Sequence, residues 1–390
     1  MKAVSIVRTK HNARRALLVQ YFLMGLVFSS LLSRHPGIID IYGMSMAQLS
    51  LTMFFMSIGS ALVMPFCGYL QGKYGCKRLS GMGYVYMSMM PFLTVMPNII
   101  VLYVYCMLYG AMVAITDVSI NGNSIIVEHA YKRPIIAMFH ALFYVGMCAG
   151  ASLGILFMSL GVSVFFHLLT ISVCALGTFY CIRSFFLKET PSKDNRSGGF
   201  RFLLPKGILL LIAFIALFGR IVEGGVSDWS TVYMKSVIEF SENMAPAGLA
   251  IYSAFMAFGR FFGDSVRRRY SSPTILLGSC AITALGLIML VSSLMPWLSI
   301  AGLLVSGLGL SCLVPVIYSM AGDQKEVTPA MGLAMVNTVS GTGFLFGPFV
   351  IGLIADASSM RVSFLYVLGL VIGMMILTSI LRSKKKVEGA

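Results

Sequence analysis

Charge is what this chain of 390 residues has least of: only 11% are Asp, Glu, Lys or Arg, while 58% are apolar. A soluble domain carries roughly 25% charged residues, so a large water-facing surface is excluded. Catalytic signatures are lacking too. There is no G-x-x-x-x-G-K-[ST] phosphate loop, so nothing points to chemistry driven by ATP. There is no H-E-x-x-H, G-x-S-x-G or paired-histidine spacing either, so no enzyme, metal or other cofactor is expected. The eight cysteines show no C-x-x-C spacing and lie mostly in apolar context, which reads as helix packing and not as disulfides.

What the chain does have is long apolar runs. A bilayer span needs about 20 apolar residues, and runs of this kind recur at 15–33, 46–70, 79–97, 99–126, 135–158, 162–182, 207–227, 245–264, 274–295, 297–320, 329–354 and 362–381. The expected fold is an all-α polytopic membrane protein with twelve transmembrane helices in two six-helix bundles. The first run is too long for a signal-peptide core, and Ser33-Arg34-His35-Pro36 is a poor cleavage site, so it is expected to be retained as a span. The longest hydrophilic interval, 183–206, has charge, Pro and Gly without apolar periodicity. It reads as a cytoplasmic linker between an N-terminal bundle, 1–182, and a C-terminal bundle, 207–390.

The formal net charge of +15 invites a nucleic-acid reading, but its placement argues otherwise. With the N-terminus inside, only Arg34, Lys235 and Arg361 of the 29 Lys and Arg fall on outer segments, while Arg220 and Arg260 lie within spans. Positive residues concentrate on the cytoplasmic side of membrane proteins, so both termini are expected there. Membrane lipid head groups account for the basic runs Arg267-Arg268-Arg269 and Lys384-Lys385-Lys386 without a nucleic-acid partner.

The two halves echo one another. Gly68 to Arg78 follows the second span and Gly259 to Tyr270 follows the eighth, each a short basic turn reached through a glycine-containing helix end. Such repetition suits a transporter built from two related bundles. Twelve spans, the six-plus-six split and these basic turns resemble the major facilitator superfamily, whose signature for the first turn is G-x-x-x-D-R-x-G-R-R. This chain keeps Gly68, Lys73, Gly75, Lys77 and Arg78 but has Gly72 where the family has Asp, and Arg268 at the matching place of the second copy. In the family that Asp locks the cytoplasmic face. The resemblance therefore implies gating roles for Lys73, Arg78 and Arg260, with Glu128 or Asp264 standing in for the acid.

Further segments narrow the resemblance. Asp117-x-x-x-Asn121 with Glu128, Arg133-Pro134 through His140, Glu223-Gly-Gly-x-x-Asp228-Trp229, Gly259-Arg260-x-x-Gly263-Asp264 and Gly343-x-x-x-Gly347-Pro348 are similar to the bacterial inner-membrane YbjJ-like branch. That branch resembles the fucose–proton symporter group, in which an acid and an Asn share this spacing on the fourth helix. The fucose group also has an Asp late in its first helix, where this chain has Ser33-Arg34-His35-Pro36. Its two-acid scheme is not carried over intact.

Residues inside the apolar runs carry the chemistry. A carboxylate at the middle of a membrane helix costs roughly 2.5 to 3.5 kcal/mol on insertion scales, so Asp117 is expected to meet water, a partner or a solute. Asn121 lies on the same helix face four residues on. His140, one helix later, reaches a similar depth. A carboxylate–imidazole pair in low dielectric is a proton carrier; the plainer reading is that both only anchor packing. Arg220 and Glu223, at i and i+3 in the seventh span, allow a same-helix ion pair, read either as a partner-exchanging clamp or as a static pair. Gln20, Tyr21 and Asn337 are candidate hydrogen-bonders to a hydroxylated solute or glue between helices. Asp228 could close an outer gate with Arg34, and Trp229 beside it reads as an interfacial belt residue. Glycines at 146, 150 and 154, and at 343 and 347, suggest close helix packing.

The leading expectation is a secondary active transporter working by alternating access, a proton-coupled symporter of a small polar solute such as a sugar or sugar acid. Asp117, His140 and Glu223 would handle protons, and a monomer is expected. Proton-driven efflux of amphipathic compounds is the alternative. A non-transporting membrane sensor on the same fold would need a soluble signalling domain, which the chain lacks.

Overall fold

The computed structural model describes residues 2–132, 135–187, 205–292, 295–324 and 327–388. Of the linker expected at 183–206, the stretch 188–204 lies outside the described residues, as do Arg133 and Pro134 and the side chains of Asp264 and of the terminal lysines.

Helices account for nearly all of the described chain, and no strand occurs among the described residues. They run in the order α1 (Lys2–Ser33), α2 (His35–Tyr42), α3 (Met46–Tyr74), α4 (Cys76–Leu79), α5 (Gly83–Met89), α6 (Ile99–Tyr131), α7 (Ile136–Ser159) and α8 (Val164–Ile182). The second series is α9 (Gly207–Ser236), α10 (Ala247–Arg267), α11 (Ser272–Ser292), α12 (Pro296–Leu310), α13 (Leu313–Gly322), α14 (Pro329–Ala357) and α15 (Met360–Glu388). Among the described residues ten helical segments are long and apolar enough to cross a membrane, and α10 supplies a shorter apolar segment, Ala247–Gly263. Inside hydrocarbon every backbone N–H and C=O must be satisfied within the protein, and a helix does this segment by segment.

The third expected span is built differently. From Cys76 to Thr94 the chain is continuously helical but alternates, with 3-10 turns at Ser80–Met82 and Met90–Thr94 around the short α5. Gly81 and Gly83 weaken α-helical preference and Pro91 removes a donor. The tenth expected span is likewise α12 and α13 in succession. Polar side chains start several helices. Asn98 accepts from the backbone N–H groups of Ile100 and Val101 ahead of α6, and Thr328 accepts from Met331 ahead of α14, where Pro329 takes the first position.

The chain forms two compact units, one of Met1–Gly43 with Leu51–Phe200, the other of Met44–Ser50 with Arg201–Ala390. In the first unit, glycine brings helix backbones together. A Cβ added at Gly25 of α1 would stand 1.9 Å from the Phe143 carbonyl oxygen of α7, and one at Gly146 would stand 2.1 Å from that of Phe22. The same closeness joins α3 to α6, where Gly59 faces Met107 and Gly110 faces Met56. In the second unit α11 and α12 meet through Gly286 and Gly302. Between apolar helices in lipid there is no hydrophobic drive to associate, so close backbone contact supplies the attraction. The spaced glycines do serve packing, Gly146, Gly150 and Gly154 against α1, and Gly343 and Gly347 against α9.

These contacts give a measurable expectation. Gly25→Ala should lower the melting temperature of detergent-purified protein, with a cost of about 1–3 kcal/mol for overpacking. Gly369→Ala, where a Cβ meets nothing within 4 Å, should leave it unchanged. Equal melting of the two variants would rule out the close α1–α7 contact.

Candidate functional site

The first unit collects its polar groups around one tyrosine. Tyr21, in the middle of α1, is buried at 2% exposure. Its hydroxyl donates to Asn121 Oδ1 at 2.8 Å and lies 3.0 Å from Ser124 Oγ, both on α6. Its ring stacks on Phe139 of α7, with centroids 5.5 Å apart, and meets the His140 ring edge-on at 5.3 Å. Asn121 is held in turn, because its Nδ2 donates to the Asp117 carbonyl oxygen one turn back, at 2.9 Å. Asp117 is half-buried on α6, one turn before Asn121. The structure thus brings Asp117, Asn121, Ser124 and His140 together through Tyr21, inside membrane-spanning helices.

Gln20, one residue earlier, turns elsewhere. Successive residues on a helix point about 100° apart, and Gln20 is fully buried in the packing of the unit. Arg34, at the outer end of α1, is also buried. It donates through Nε to His167 Nδ1 and through Nη2 to the Val162 carbonyl, each at 2.9 Å, fastening α1 to the start of α8. At the cytoplasmic end, Glu128 Oε2 accepts from the backbone N–H groups of Ile135 and Ile136 at 2.8 and 3.0 Å. A carboxylate at a helix N-terminus satisfies unpaired donors and complements the helix dipole, so Glu128 closes the turn between α6 and α7. Lys73 and Arg78 are exposed, Lys73 against the rings of Tyr69 and Tyr74. Lys77 donates to the carbonyls of Ser184 and Phe186, both at 2.8 Å.

The second unit holds two arrangements on α9. Glu223 forms an ion pair with Arg260 of α10 at 2.9 Å, both side chains no more than 10% exposed. The spacing allows Glu223 a partner in Arg220 on its own helix; the structure gives it Arg260 on the neighbouring one. Arg260, expected to gate the basic turn, is engaged inside the membrane. Arg220 donates to the Tyr318 hydroxyl of α13, and Tyr318 donates to Asn337 Oδ1 of α14. The Arg220 guanidinium also lies 4.8 Å from the Phe344 ring centroid and 5.7 Å from that of Tyr318. A guanidinium over an aromatic ring is a cation–π contact, and such contacts offset part of the roughly 3 kcal/mol cost of Arg in a span.

Asp228 also differs from expectation. The seventh span was expected to end at 227, but α9 runs on to Ser236, so Asp228 sits inside the helix and accepts from Ser227 Oγ at 3.0 Å. Trp229 is fully buried and is not a belt residue at the membrane interface. Its indole packs into the unit because α9 is covered by α14 and α15 at this level. Among the described residues, no three His, Cys, Asp or Glu gather as metal ligands would. His167, Tyr318 and Phe344 are the partners that sequence reasoning missed. His167 carried a signal, as an ionisable group inside an apolar run; a lone Tyr or Phe in such a run carries none.

Comparison with known proteins adds family context. The chain matches the Major Facilitator Superfamily over residues 17–326. It is 30% identical over 350 residues to an uncharacterized MFS-type transporter of Yersinia pestis, covering 88% of this chain and 89% of the relative. It is 27% identical over 359 residues to the membrane protein MosC of Rhizobium meliloti, covering 90% and 86%. In fold it is similar to the nucleoside transporter NupG, with a TM-score of 0.74 over 95% of this chain and 99% of that one at 13% identity. A bacterial homolog of the human lysosomal transporter Spinster, in an inward-facing unoccupied conformation, gives a TM-score of 0.75, also at 13% identity, over 96% of this chain and 97% of that one.

The Glu223–Arg260 pair has a sharp mutational signature. Removing one partner of a buried pair costs roughly 3–5 kcal/mol, because the other charge is stranded. Glu223→Gln should therefore melt well below wild type, and the double change Glu223→Gln with Arg260→Met should recover much of the loss. A double variant no better than the single one would show that the pair is not coupled.

Proposed function

The chain belongs to the major facilitator superfamily and is a multi-pass membrane transporter, and we propose that it is a proton-coupled symporter for a small polar solute such as a sugar or sugar acid. The observation that carries this reading is the cluster on Tyr21. It joins an imidazole, a carboxamide and two hydroxyls within one unit, and the carboxamide bonds back to the Asp117 backbone. In a low-dielectric setting an ionised carboxylate is costly, and this reading makes Asp117 the group that takes up and releases the coupled proton. Proton uptake and release at Asp117 then tracks the opening and closing of the site, which is what coupling by alternating access requires. Asn121, anchored to the Asp117 backbone and to Tyr21, registers that change where a solute hydroxyl binds. His140 shares the proton through the same cluster.

In the second unit, this reading makes α9 the moving contact. Arg220 and Glu223, one turn apart, each have a partner on another helix here, and exchange of those partners would accompany solute entry. The resemblance of the Asp117-x-x-x-Asn121 spacing to the fucose–proton symporter group, through the YbjJ-like branch, supports import. The missing acid in the first helix leaves Asp117 as the carboxylate that must carry the coupling in its unit. We place the protein in the bacterial inner membrane.

Reconstitution in proteoliposomes tests the coupling. A thermal-shift screen of sugars and sugar acids supplies the solute, and an inward proton gradient supplies the drive. Wild type should concentrate the solute. Asp117→Asn should equilibrate it and keep exchange of labelled for unlabelled solute, but should not concentrate it. Accumulation by Asp117→Asn equal to wild type would end the assignment of coupling to Asp117.

A further inference from the structure

α9 carries two acids, Glu223 and Asp228, and the cation found for the first has no counterpart at the second. Among the described residues Asp228 forms no ion pair, and its carboxyl group has one hydrogen-bond partner, the Ser227 hydroxyl. Eight residues, about 12 Å of helix, separate it from the end of α9 at Ser236. The ionisable groups of the helices packed on α9 are engaged elsewhere. Tyr252 and Arg260 of α10 bond to Glu223, Tyr318 of α13 takes Arg220, and Arg361 of α15 lies beside the Tyr233 hydroxyl. α12, and α14 from Met331 to Leu353, carry no ionisable side chain. An acid inside a span is costly, and chains keep one where a proton or ion passes.

The hydrogen bonds at Asp228 do not add up for a permanently ionised group. The Ser227 hydroxyl has one proton and two acceptors in reach, the Gly224 carbonyl at 3.1 Å and Asp228 Oδ1 at 3.0 Å. With Asp228 ionised, the hydroxyl serves one of them at a time. With Asp228 protonated, Oδ1–H donates to Ser227 Oγ and Ser227 donates to Gly224, so the same heavy atoms make both bonds. The arrangement therefore holds either protonation state without moving the backbone, which a group that loads and unloads protons requires. The second oxygen has room. Asp228 is half-buried, and a Cβ at Gly224 would stand 3.8 Å from Oδ2 and 3.9 Å from the Phe344 ring. Glycine leaves that space open where any other residue would set a side chain against the acid.

We propose that Asp228 is a second proton-binding site of this transporter, taking its proton from water and returning it to water, with Ser227 as its hydrogen-bond partner. The inference rests on the reading of the chain as a proton-coupled symporter, and it gives the second unit a proton site as that reading gives Asp117 to the first.

Infrared titration of the purified full-length protein reads the site without any solute. The signal is the C=O stretch of a protonated carboxyl group, isolated as wild type minus Asp228→Asn. It should appear on acidification and vanish on alkalinisation within the pH range in which the protein stays folded, and Asp117→Asn should keep it. Ser227→Ala removes the acceptor of the Asp228 proton and should move the band to higher frequency, a reading that does not need Asp228→Asn to fold. The titration should be the same in sodium chloride as in choline chloride. No titrating band in the difference, a band unmoved in Ser227→Ala, or a midpoint that sodium lowers overturns the proposal, the last because the occupant is then a metal ion. The symport reading fails separately. A titrating Asp228 in a protein without proton-driven accumulation keeps the site and removes the symporter. Proton-driven accumulation without an Asp228 band keeps the symporter and removes the site.

Discussion

An ionised side chain in the interior of a membrane helix has no bulk water to solvate it, and the polar architecture of this protein follows from that constraint. Each such group must find a counter-charge, a hydrogen-bond partner or an aromatic face, because leaving it alone costs several kcal/mol. The solutions differ by position. Glu223 and Arg260 neutralise one another across two helices. Arg34 spends its donors on an imidazole and a backbone carbonyl. Arg220 combines aromatic faces with a neutral hydroxyl.

Those arrangements need helices held at fixed register, and glycine provides it in the first unit. The α1–α7 contact is close enough that carbonyl oxygens occupy the space of absent side chains. Tyr21 projects from α1 within one turn of Gly25, and Phe139 and His140 project from α7 within two turns of Gly146. The same close seam therefore sets where the tyrosine meets its neighbours. Glu128 adds a second constraint at the far end by closing the turn that joins α6 to α7. Asn121 and His140, which meet Tyr21 from those two helices, are thus part of one hairpin.

The helical framework was readable in the sequence because hydrocarbon imposes length and composition on every span. The twelve runs correspond closely to the observed helices, save where glycine and proline break the third, where the tenth divides into α12 and α13, and where α9 runs past polar residues. Asp228-Trp229-Ser230 reads as a span end, yet α9 continues because Trp229 is buried against neighbouring helices and Asp228 takes its hydroxyl partner from Ser227. Within the candidate site, spacing along one helix was informative: Asp117 and Asn121 do share a face, and the link between them is local. Contacts between distant segments were not legible. The Arg260 partner of Glu223, 37 residues on, carries no sequence signal, since helix packing and not chain distance brings the two together. Tyr21 was visible as a polar group, but its place as the meeting point of α6 and α7 side chains depends on the seam that only the folded unit reveals.

The Arg220–Tyr318–Asn337 chain runs one way, since the guanidinium only donates and Tyr318 gives its own proton to Asn337, and this has a consequence for proton traffic. To pass a proton along a hydrogen-bonded chain, every link must reverse its direction afterwards, and that requires each member to give up and regain a proton. A guanidinium in a protein does not release one. The relay is therefore an insulator toward protons, however close its oxygens lie. The hydroxyls of Tyr21 and Ser124 are different, since either can donate to the other, and a chain through them can turn over. The Tyr21–Ser124 contact is thus a link that can reverse its direction, and the chain headed by the Arg220 guanidinium is one that does not.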